Sequence, residues 1–294
     1  MVERIVTRPD FDGVVCAVLL KEALDGALPV LWVQPADMQS GKVPLTPHDV
    51  VANLPLKGEV ALWFDHHVSN VVQTEYKGIY RLAPSAAGLV QEYYRDVLGD
   101  RFEALVQQAD RIDAAQLHLD EILHPERFPY VLLSMTITFR NASDADYCDH
   151  LVALLRKAPI AQVMADPRVR RRCEATIVQN RVYEEVLKRH TVLRDHVSIT
   201  DLRELSPVPD GNRFLVYSLF PAAVVNIKLY EDGPYTMIKL GHSILNRGCR
   251  VNVGRLLSQF GGGGHRGAGA CRVDRHRAEP IIEAIIAVLL RNAP

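Results

Sequence analysis

Residues 63–70 read WFDHHVSN and residues 261–270 read GGGGHRGAGA, and these two stretches are the most informative part of the chain. In the first, a hydrophobic run ends in one carboxylate and two imidazoles, which are side chains that bind divalent metals. In the second, six glycines fall within nine positions around one histidine. Such a loop lets backbone N–H groups approach a ligand closely and suits phosphate oxygens. Together the two stretches indicate phosphate-ester chemistry divided between two domains.

The composition is that of a globular protein with room for two domains. The chain has 294 residues, of which 48% are hydrophobic and 23% are charged, and single cores stop growing near this size. The longest apolar runs, such as 284–290, are too short to cross a bilayer, so we expect no membrane partner. Because the N-terminus has no secretion signal and the five cysteines are scattered, we expect reduced thiols and a cytoplasmic location.

Charge is distributed unevenly along the chain. Residues 239–277 contain eight Lys or Arg and one acidic residue, which is a net charge of +7. Because the whole chain has a net charge of −1, the rest of the chain carries a net charge of −8. A basic C-terminal module beside an acidic N-terminal one suggests that the first binds an anion and the second binds cations. A solvated basic surface is the alternative interpretation.

In the first half, short β-like runs alternate with helical segments. We predict strands at 4–7, 29–33, 49–54 and 60–64, and helices at 14–24, at 85–98 and within 101–157. This alternation favours a parallel sheet with helices on its faces, whose ligands lie beyond the carboxyl ends of the strands. The residues expected along that edge are Asp10, Asp12, Asn53, Asp65, His66 and His67, with Asp37 as a further candidate.

The second half starts with a long amphipathic helix, predicted over 168–190 and interpreted as the connector between domains. Strands are predicted at 214–220, 224–230 and 235–240, and helices at 252–260 and 279–291. We therefore predict an α/β protein with a parallel-sheet domain at 1–165, a helical linker at 166–195 and a smaller α/β domain at 196–294.

Several acidic and imidazole side chains have more than one interpretation. Asp10 and Asp12 form a D-x-D pair after a strand and can bind one cation or two, but Asp12 can instead cap the following helix. The run 65–67 is either a metal-binding group or a buried, hydrogen-bonded set. Asp110 and Asp113 are either ligands or part of a solvated helix face.

The motifs DFDG at 10–13, FDHH at 64–67, Asp113 with its small-residue run, and GGGGHRGAG at 261–269 share their order and approximate spacing with a known family. The chain resembles the DHH phosphoesterases along nearly its whole length. The relevant branch includes the oligoribonucleases and pAp-phosphatases (nanoRNases), exopolyphosphatase-related proteins, RecJ-type exonucleases and cyclic-dinucleotide phosphodiesterases. The resemblance implies a DHH domain with two Mn²⁺ ions, a linker, and a C-terminal domain that grips substrate across a cleft. It also allows a homodimer.

The resemblance assigns roles in the DHH domain. Asp10 would bind the first metal, and the second would be bound by Asp12, His66 and Asp113. Asp65 would orient the metal-bound histidine from behind. His67 would face the scissile phosphate.

In the C-terminal domain, the resemblance implies that a histidine and several amides hold the phosphate and base of the substrate. These residues are His265, Gly262, Gly263 and Gly264, and Arg247 and Asn252 would assist them. An exposed surface charge is the alternative interpretation of Arg247.

The chain departs from the family pattern in two respects. The family has a histidine shortly before the D-x-D pair, where this chain has Val6 and Arg8, and a bridging aspartate where this chain has Asn53. Both missing groups normally serve the first metal, so double occupancy becomes less favourable. Arg8 could supply a fixed positive charge there, and Asp37 is a candidate replacement ligand.

Three functional hypotheses follow. The first is a metal-dependent phosphoesterase that uses metal-activated water on short oligonucleotides or small nucleotides such as pAp, with inorganic polyphosphate as a further candidate substrate. The second is a catalytically degenerate protein that binds a nucleotide or phosphate as a sensor or regulator. The third places long single-stranded nucleic acid on the basic run 168–172, for which a solvated helix start is the alternative.

Overall fold

The computed structural model describes residues 1–71, 73–139 and 143–293, and the chain divides into two compact units. Unit 1 comprises Met1–Gln116 and Glu126–Cys173, and unit 2 comprises Leu117–Pro125 and Glu174–Pro294. The chain passes between the units at three points, and the last of these lies within one long helix, Pro167–His190. The domain limits derived from the sequence stay predictions.

Unit 1 is built on a parallel sheet of five strands. These are β1 (Arg4–Thr7), β2 (Val30–Trp32), β3 (Asp49–Ala52), β4 (Leu62–Asp65) and β5 (Gly78–Tyr80). Their spatial order is β2-β1-β3-β4-β5, and every neighbouring pair is parallel. The apolar runs of β1 and β3 are buried, as is typical of central strands covered on both faces. The polar residues that follow β1, β3 and β4 therefore share one edge.

Helices complete unit 1. They are α1 (Phe11–Ala23), α2 (Pro35–Gln39), α3 (Ala86–Tyr93), α4 (Arg95–Leu98), α5 (Glu103–Asp113), and, after α6 of unit 2 (Leu119–Leu123), α7 (Pro129–Met135), α8 (Ser143–Leu155) and α9 (Ile160–Ala165). The first ten residues of α1 are all buried, so this helix lies inside the unit. Its position brings the D-x-D pair to the centre of the sheet edge.

Unit 2 contains a six-stranded mixed sheet. Its strands are β6 (Thr191–Arg194), β7 (Val197–Asp201), β8 (Val225–Asp232), β9 (Tyr235–His242), β10 (Gly263–Gly264) and β11 (Ala268–Asp274). The order is β10-β11-β9-β8-β7-β6, and all pairs are antiparallel except β7 with β8. The helices are α10 (Pro167–His190), shared with unit 1, α11 (Leu215–Leu219), α12 (Val253–Ser258) and α13 (Ala278–Arg291). One hydrophobic core joins this sheet to α12 and α13.

The structure confirms the predicted α/β class and the parallel N-terminal sheet. The strand predicted at 214–220 is wrong, because Leu215–Leu219 forms α11 with Leu215, Val216 and Tyr217 buried. A short apolar run does not distinguish a buried strand from a buried helical turn by its periodicity. Among the described residues, no helix combines the length and hydropathy needed to span a membrane.

Candidate metal centre and glycine hairpin

Asp12 is a buried carboxylate held by the start of α3. Its side chain lies in the first turn of α1, and the residue is 2% exposed. Oδ2 accepts a hydrogen bond from the Ala86 amide at 2.9 Å, and Oδ1 accepts one from the Ala87 amide at 2.8 Å. Burial, followed by the negative charges of Asp113 and Asp10, raises the pKa of Asp12 well above its usual range. A cation beside this carboxyl would offset both effects.

His66 presents a nitrogen lone pair to the same place. Its Nδ1 lies 3.0 Å from the Ala83 carbonyl oxygen. A carbonyl only accepts, so Nδ1 carries the proton and Nε2 of the neutral ring is left as an acceptor. Nε2 is buried and has no hydrogen-bond partner. It lies 3.7 Å from Asp12 Oδ2 and 3.4 Å from Asp113 Oδ2, which belongs to the last residue of α5.

These three ligand atoms fit a divalent metal ion. Imidazole and carboxylate ligands lie about 2.1 Å from such an ion, which places neighbouring ligand atoms roughly 3.0–3.4 Å apart. The distances around His66 Nε2 are close to that range, and the partnerless nitrogen is the atom that a metal would satisfy. Among the described residues, one further group, formed by Asp65, His66 and His67, has candidate ligand atoms within 4.8 Å of one another.

Asp65 orients His67 rather than the metal-facing histidine. Its carboxylate is fully buried at the end of β4. Oδ1 lies 2.7 Å from His67 Nδ1, and Oδ2 accepts a hydrogen bond from Asn70 Nδ2 at 2.6 Å. The family resemblance assigned Asp65 to the metal-bound histidine, but in the structure that ring is held by the Ala83 carbonyl. This partner was missed because a backbone oxygen leaves no signature in the residue types.

Asp10 is surrounded by hydrogen-bond donors. Its Oδ1 caps α1 by accepting from the Gly13 amide at 2.9 Å, and it also accepts from Asn53 Nδ2 at 2.9 Å. Arg8 Nε lies 2.9 Å from Oδ2. The helix cap is therefore Asp10, and the alternative role of Asp12 as the cap is wrong. Asn53 reaches this carboxylate from just after β3, with a positive φ of 57° and 1% exposure.

Asp37 and Asp110 lie outside the group around His66. Asp37, in the first turn of α2, pairs with Lys42 at 3.2 Å. Asp110 Oδ1 accepts a hydrogen bond from Ser85 Oγ at 2.6 Å, and burial raises its pKa. Asp110 thus supports the cap of α3, the helix whose amides hold the Asp12 carboxylate.

The glycine-rich stretch forms a hairpin in unit 2. Strands β10 and β11 pair antiparallel, and Gly264 has a φ of 146° that favours glycine. His265, at the turn, is exposed. The Gly262 amide donates to the Leu257 carbonyl at 3.0 Å, so this amide is engaged within the protein. A phosphate at the hairpin would take its donors from the turn rather than from Gly262.

Asn252 and Arg247 lie in the chain segment that precedes the hairpin, at and before the start of α12. Asn252 Oδ1 caps α12 by accepting from the Arg255 amide at 3.0 Å. Arg247 is exposed in the segment between β9 and α12. The start of α12 lies directly against the hairpin, because the Gly254 amide donates to the His265 carbonyl at 2.9 Å. Asn252 thus lies at the helix start that contacts the hairpin, and the substrate-binding roles of the residues predicted in this half stay predictions.

No family model and no curated protein matches the chain. Among solved structures, the chain is similar to the pGpG-specific phosphodiesterase PggH from Vibrio cholerae, with 30% identity and a TM-score of 0.79. That alignment covers 99% of this chain and 100% of the other.

Two more distant structures share the fold. A DHH domain described as a member of the S1p family of ribosomal proteins has 15% identity and a TM-score of 0.64, over 98% of this chain and 87% of that one. RecJ from Thermus thermophilus in complex with Mn²⁺ has 14% identity and a TM-score of 0.58, over 99% of this chain and 52% of that one.

Proposed function

Because the chain belongs to the DHH phosphoesterase family, we propose that it is a metal-dependent hydrolase of linear dinucleotides or similarly short nucleotides. The observation that carries this proposal is the buried His66 Nε2, which has no hydrogen-bond partner and faces the carboxylates of Asp12 and Asp113. The relative with 30% identity is named for pGpG, so pGpG is the substrate to test first. Small nucleotides such as pAp, short oligoribonucleotides and inorganic polyphosphate are the comparison substrates.

Hydrolysis at this site requires a nucleophile, a stabilised phosphate and a proton for the leaving group. The oxygen of a water molecule forms a bond to phosphorus, the ester P–O bond breaks, the water loses a proton and the leaving oxygen gains one. Asp12, His66 and Asp113 would hold a divalent ion, which would supply Lewis-acid stabilisation of phosphate charge and activation of water. Asp12 is held for this task by two amides, and His66 by the Ala83 carbonyl.

His67 is the residue that we assign to the leaving group. Its Nδ1 lies 2.7 Å from Asp65 Oδ1, so Nε2 is the ring nitrogen on the side away from that carboxylate. A buried carboxylate behind an imidazole fixes the ring orientation. The two histidine ring centroids are 4.3 Å apart, which places His67 beside the metal-binding group. We therefore propose that His67 Nε2 holds a proton for the leaving oxygen.

The finer assignments belong to the same proposal. We propose Mn²⁺ as the ion, since RecJ, which shares the fold, is described in complex with Mn²⁺ as well as with Mg²⁺. Four of the five cysteines are buried packing residues, which accords with a reducing, cytoplasmic location. A homodimer stays a prediction from the family resemblance.

Removal of the metal tests the function directly. The purified protein is stripped of metal with EDTA and dialysed. We expect its rate of pGpG hydrolysis to fall by at least about 10³-fold, because no described side chain replaces Lewis-acid catalysis. Stoichiometric Mn²⁺ should restore the rate. The rate is measured by chromatographic separation of pGpG from its product GMP. Full activity in the stripped protein would contradict the proposal. Binding of pGpG without turnover in Mn²⁺-loaded protein would favour the second hypothesis, a nucleotide-binding regulator.

The hairpin histidine gives a separate prediction for substrate binding. His265→Ala should raise KM for pGpG about tenfold or more while kcat stays within about twofold, because one charge-assisted hydrogen bond to phosphate is worth roughly 1.5–3 kcal/mol. His276→Ala is the matched control, since His276 is also exposed and lies in the same unit. Equal KM values for both variants and the wild type would remove His265 from the binding site.

A further inference from the structure

Asp10 lies beside the metal-binding group but is already neutralised by protein groups. Arg8 Nε pairs with its Oδ2 at 2.9 Å, and Oδ1 accepts from both Asn53 Nδ2 and the Gly13 amide. Asp10 is the N-cap of α1 and Asp12 lies in its first turn, so the two carboxylates are near neighbours. The arginine therefore pairs with Oδ2, the oxygen of Asp10 that a second metal ion would need as a ligand.

The residues around Asp10 do not fit a second divalent ion. The guanidinium does not lose its proton in proteins, so it cannot become a ligand and repels a dication. Asn53 provides one neutral oxygen, Oδ1, which is buried and lacks a hydrogen-bond partner. The positive charge of a dication would be poorly compensated by one neutral amide oxygen and a carboxylate that already accepts two hydrogen bonds and pairs with Arg8.

We propose, building on the function above, that the chain works with a single divalent ion and that Arg8 supplies the second positive charge to the substrate phosphate. Asp10 holds the guanidinium through Nε, which leaves the two terminal nitrogens to donate to nonbridging phosphate oxygens. The Arg8 side chain is 36% exposed, so substrate can reach it. Asp10 and Asn53 together thus position an arginine in the place of a second ion.

Metal counting tests the proposal independently of turnover. Metal-free protein is titrated with Mn²⁺ by calorimetry, and bound manganese is measured by elemental analysis after gel filtration. We expect one ion per wild-type chain and one in Arg8→Gln. In the double variant Arg8→Gln/Asn53→Asp, the lost cation and the new carboxylate should raise the count towards two. Arg4→Gln is the matched control, because Arg4 forms a similar ion pair with Asp49 at the opposite end of β1.

Kinetics test the role of the guanidinium. Arg8→Gln should lower kcat for pGpG by about 10²-fold or more, as removal of a preorganised donor to a developing anion does. Guanidinium chloride at millimolar concentration should restore part of that loss in Arg8→Gln and none in a variant of the metal ligands. Arg8→Lys keeps the positive charge without the planar guanidinium, and its kcat should lie between those of the wild type and Arg8→Gln. Tryptophan fluorescence checks that each variant is folded.

The outcomes separate this proposal from the general function. Two manganese ions per wild-type chain together with hydrolysis would overturn the single-ion proposal and leave the phosphoesterase function standing. An unchanged kcat in Arg8→Gln, or a count of one in the double variant, would equally overturn the role given to Arg8. One ion in the wild type without hydrolysis of any test nucleotide would contradict the phosphoesterase function. The metal counts of the variants would still decide whether Arg8 takes the place of a second ion. No bound ion at all would overturn both.

Discussion

Replacing His66 with alanine is expected to abolish tight binding of the divalent ion and to lower kcat for pGpG by at least about 10³-fold. The substitution removes the nitrogen that lies 3.4 Å from the Asp113 carboxylate and 3.7 Å from that of Asp12. Two carboxylates alone are left, and burial already disfavours the negative charge of Asp12. Loss of a residue that only hydrogen-bonds to a metal ligand typically weakens metal affinity by roughly 10- to 100-fold. Loss of the ligand itself should weaken it more.

Calorimetric titration with Mn²⁺ and steady-state kinetics measure the two effects of His66→Ala separately. His48→Ala is the matched control, since His48 is an exposed histidine of the same unit. Retained metal binding with lost activity would move His66 from ligand to positioning residue. Retention of both would remove the group around His66 from the reaction, and the metal centre would have to be sought elsewhere.

The strand ends of unit 1 could be predicted from the sequence because residue type and position agree there. Asp10, Asn53 and Asp65 each follow or end a short apolar run, and parallel strands bring their carboxyl ends to one edge. The proximity of Asp12, His66 and Asp113 was implied by the family resemblance and is observed in the structure. Those residues carry side chains whose chemistry is visible in the sequence.

The finer pairing within the centre could not be predicted from the sequence. Whether Asp65 holds His66 or His67 depends on ring orientation, which the Ala83 carbonyl fixes. The capping role of Asp10 rather than Asp12 depends on where α1 starts, and helix starts are uncertain by about one or two residues. In both cases a backbone group decides between two side chains of similar chemistry.

The Arg8–Asp10 contact shows how the same residues support two functional hypotheses. From the sequence, loss of the ligands at Arg8 and Asn53 favoured either a degenerate binding protein or an enzyme with a surrogate cation. In the structure the guanidinium is directed at Asp10 by its Nε, and Asn53 holds the other carboxylate oxygen. Electrostatic attraction alone explains why the arginine faces this carboxylate, so the contact fits both hypotheses, and the kinetics of Arg8→Gln decide between them.

Gly13→Ala is expected to give the largest loss of stability among single substitutions near the site. A Cβ at this position would lie 1.8 Å from the Arg8 carbonyl oxygen and 2.9 Å from Thr7 Oγ1. Both neighbours belong to β1 or the turn after it, so α1 would have to move away from the sheet. Overpacking of a core typically costs about 1–3 kcal/mol, and a clash with backbone at this distance should cost about 3 kcal/mol or more.

Tryptophan fluorescence during urea unfolding measures the effect of Gly13→Ala in the unit concerned, because both tryptophans, Trp32 and Trp63, are buried in unit 1. Gly99→Ala is the matched control. Gly99 has a φ of 53°, and a Cβ added there would meet no atom within 4 Å, so only backbone strain of about 1–2 kcal/mol applies. Since Gly13 also sets the position of Asp12, the surviving folded fraction of Gly13→Ala should bind Mn²⁺ more weakly, whereas Gly99→Ala should bind it normally. A smaller loss of stability in Gly13→Ala than in Gly99→Ala would mean that α1 does not lie as close to β1 as the centre requires.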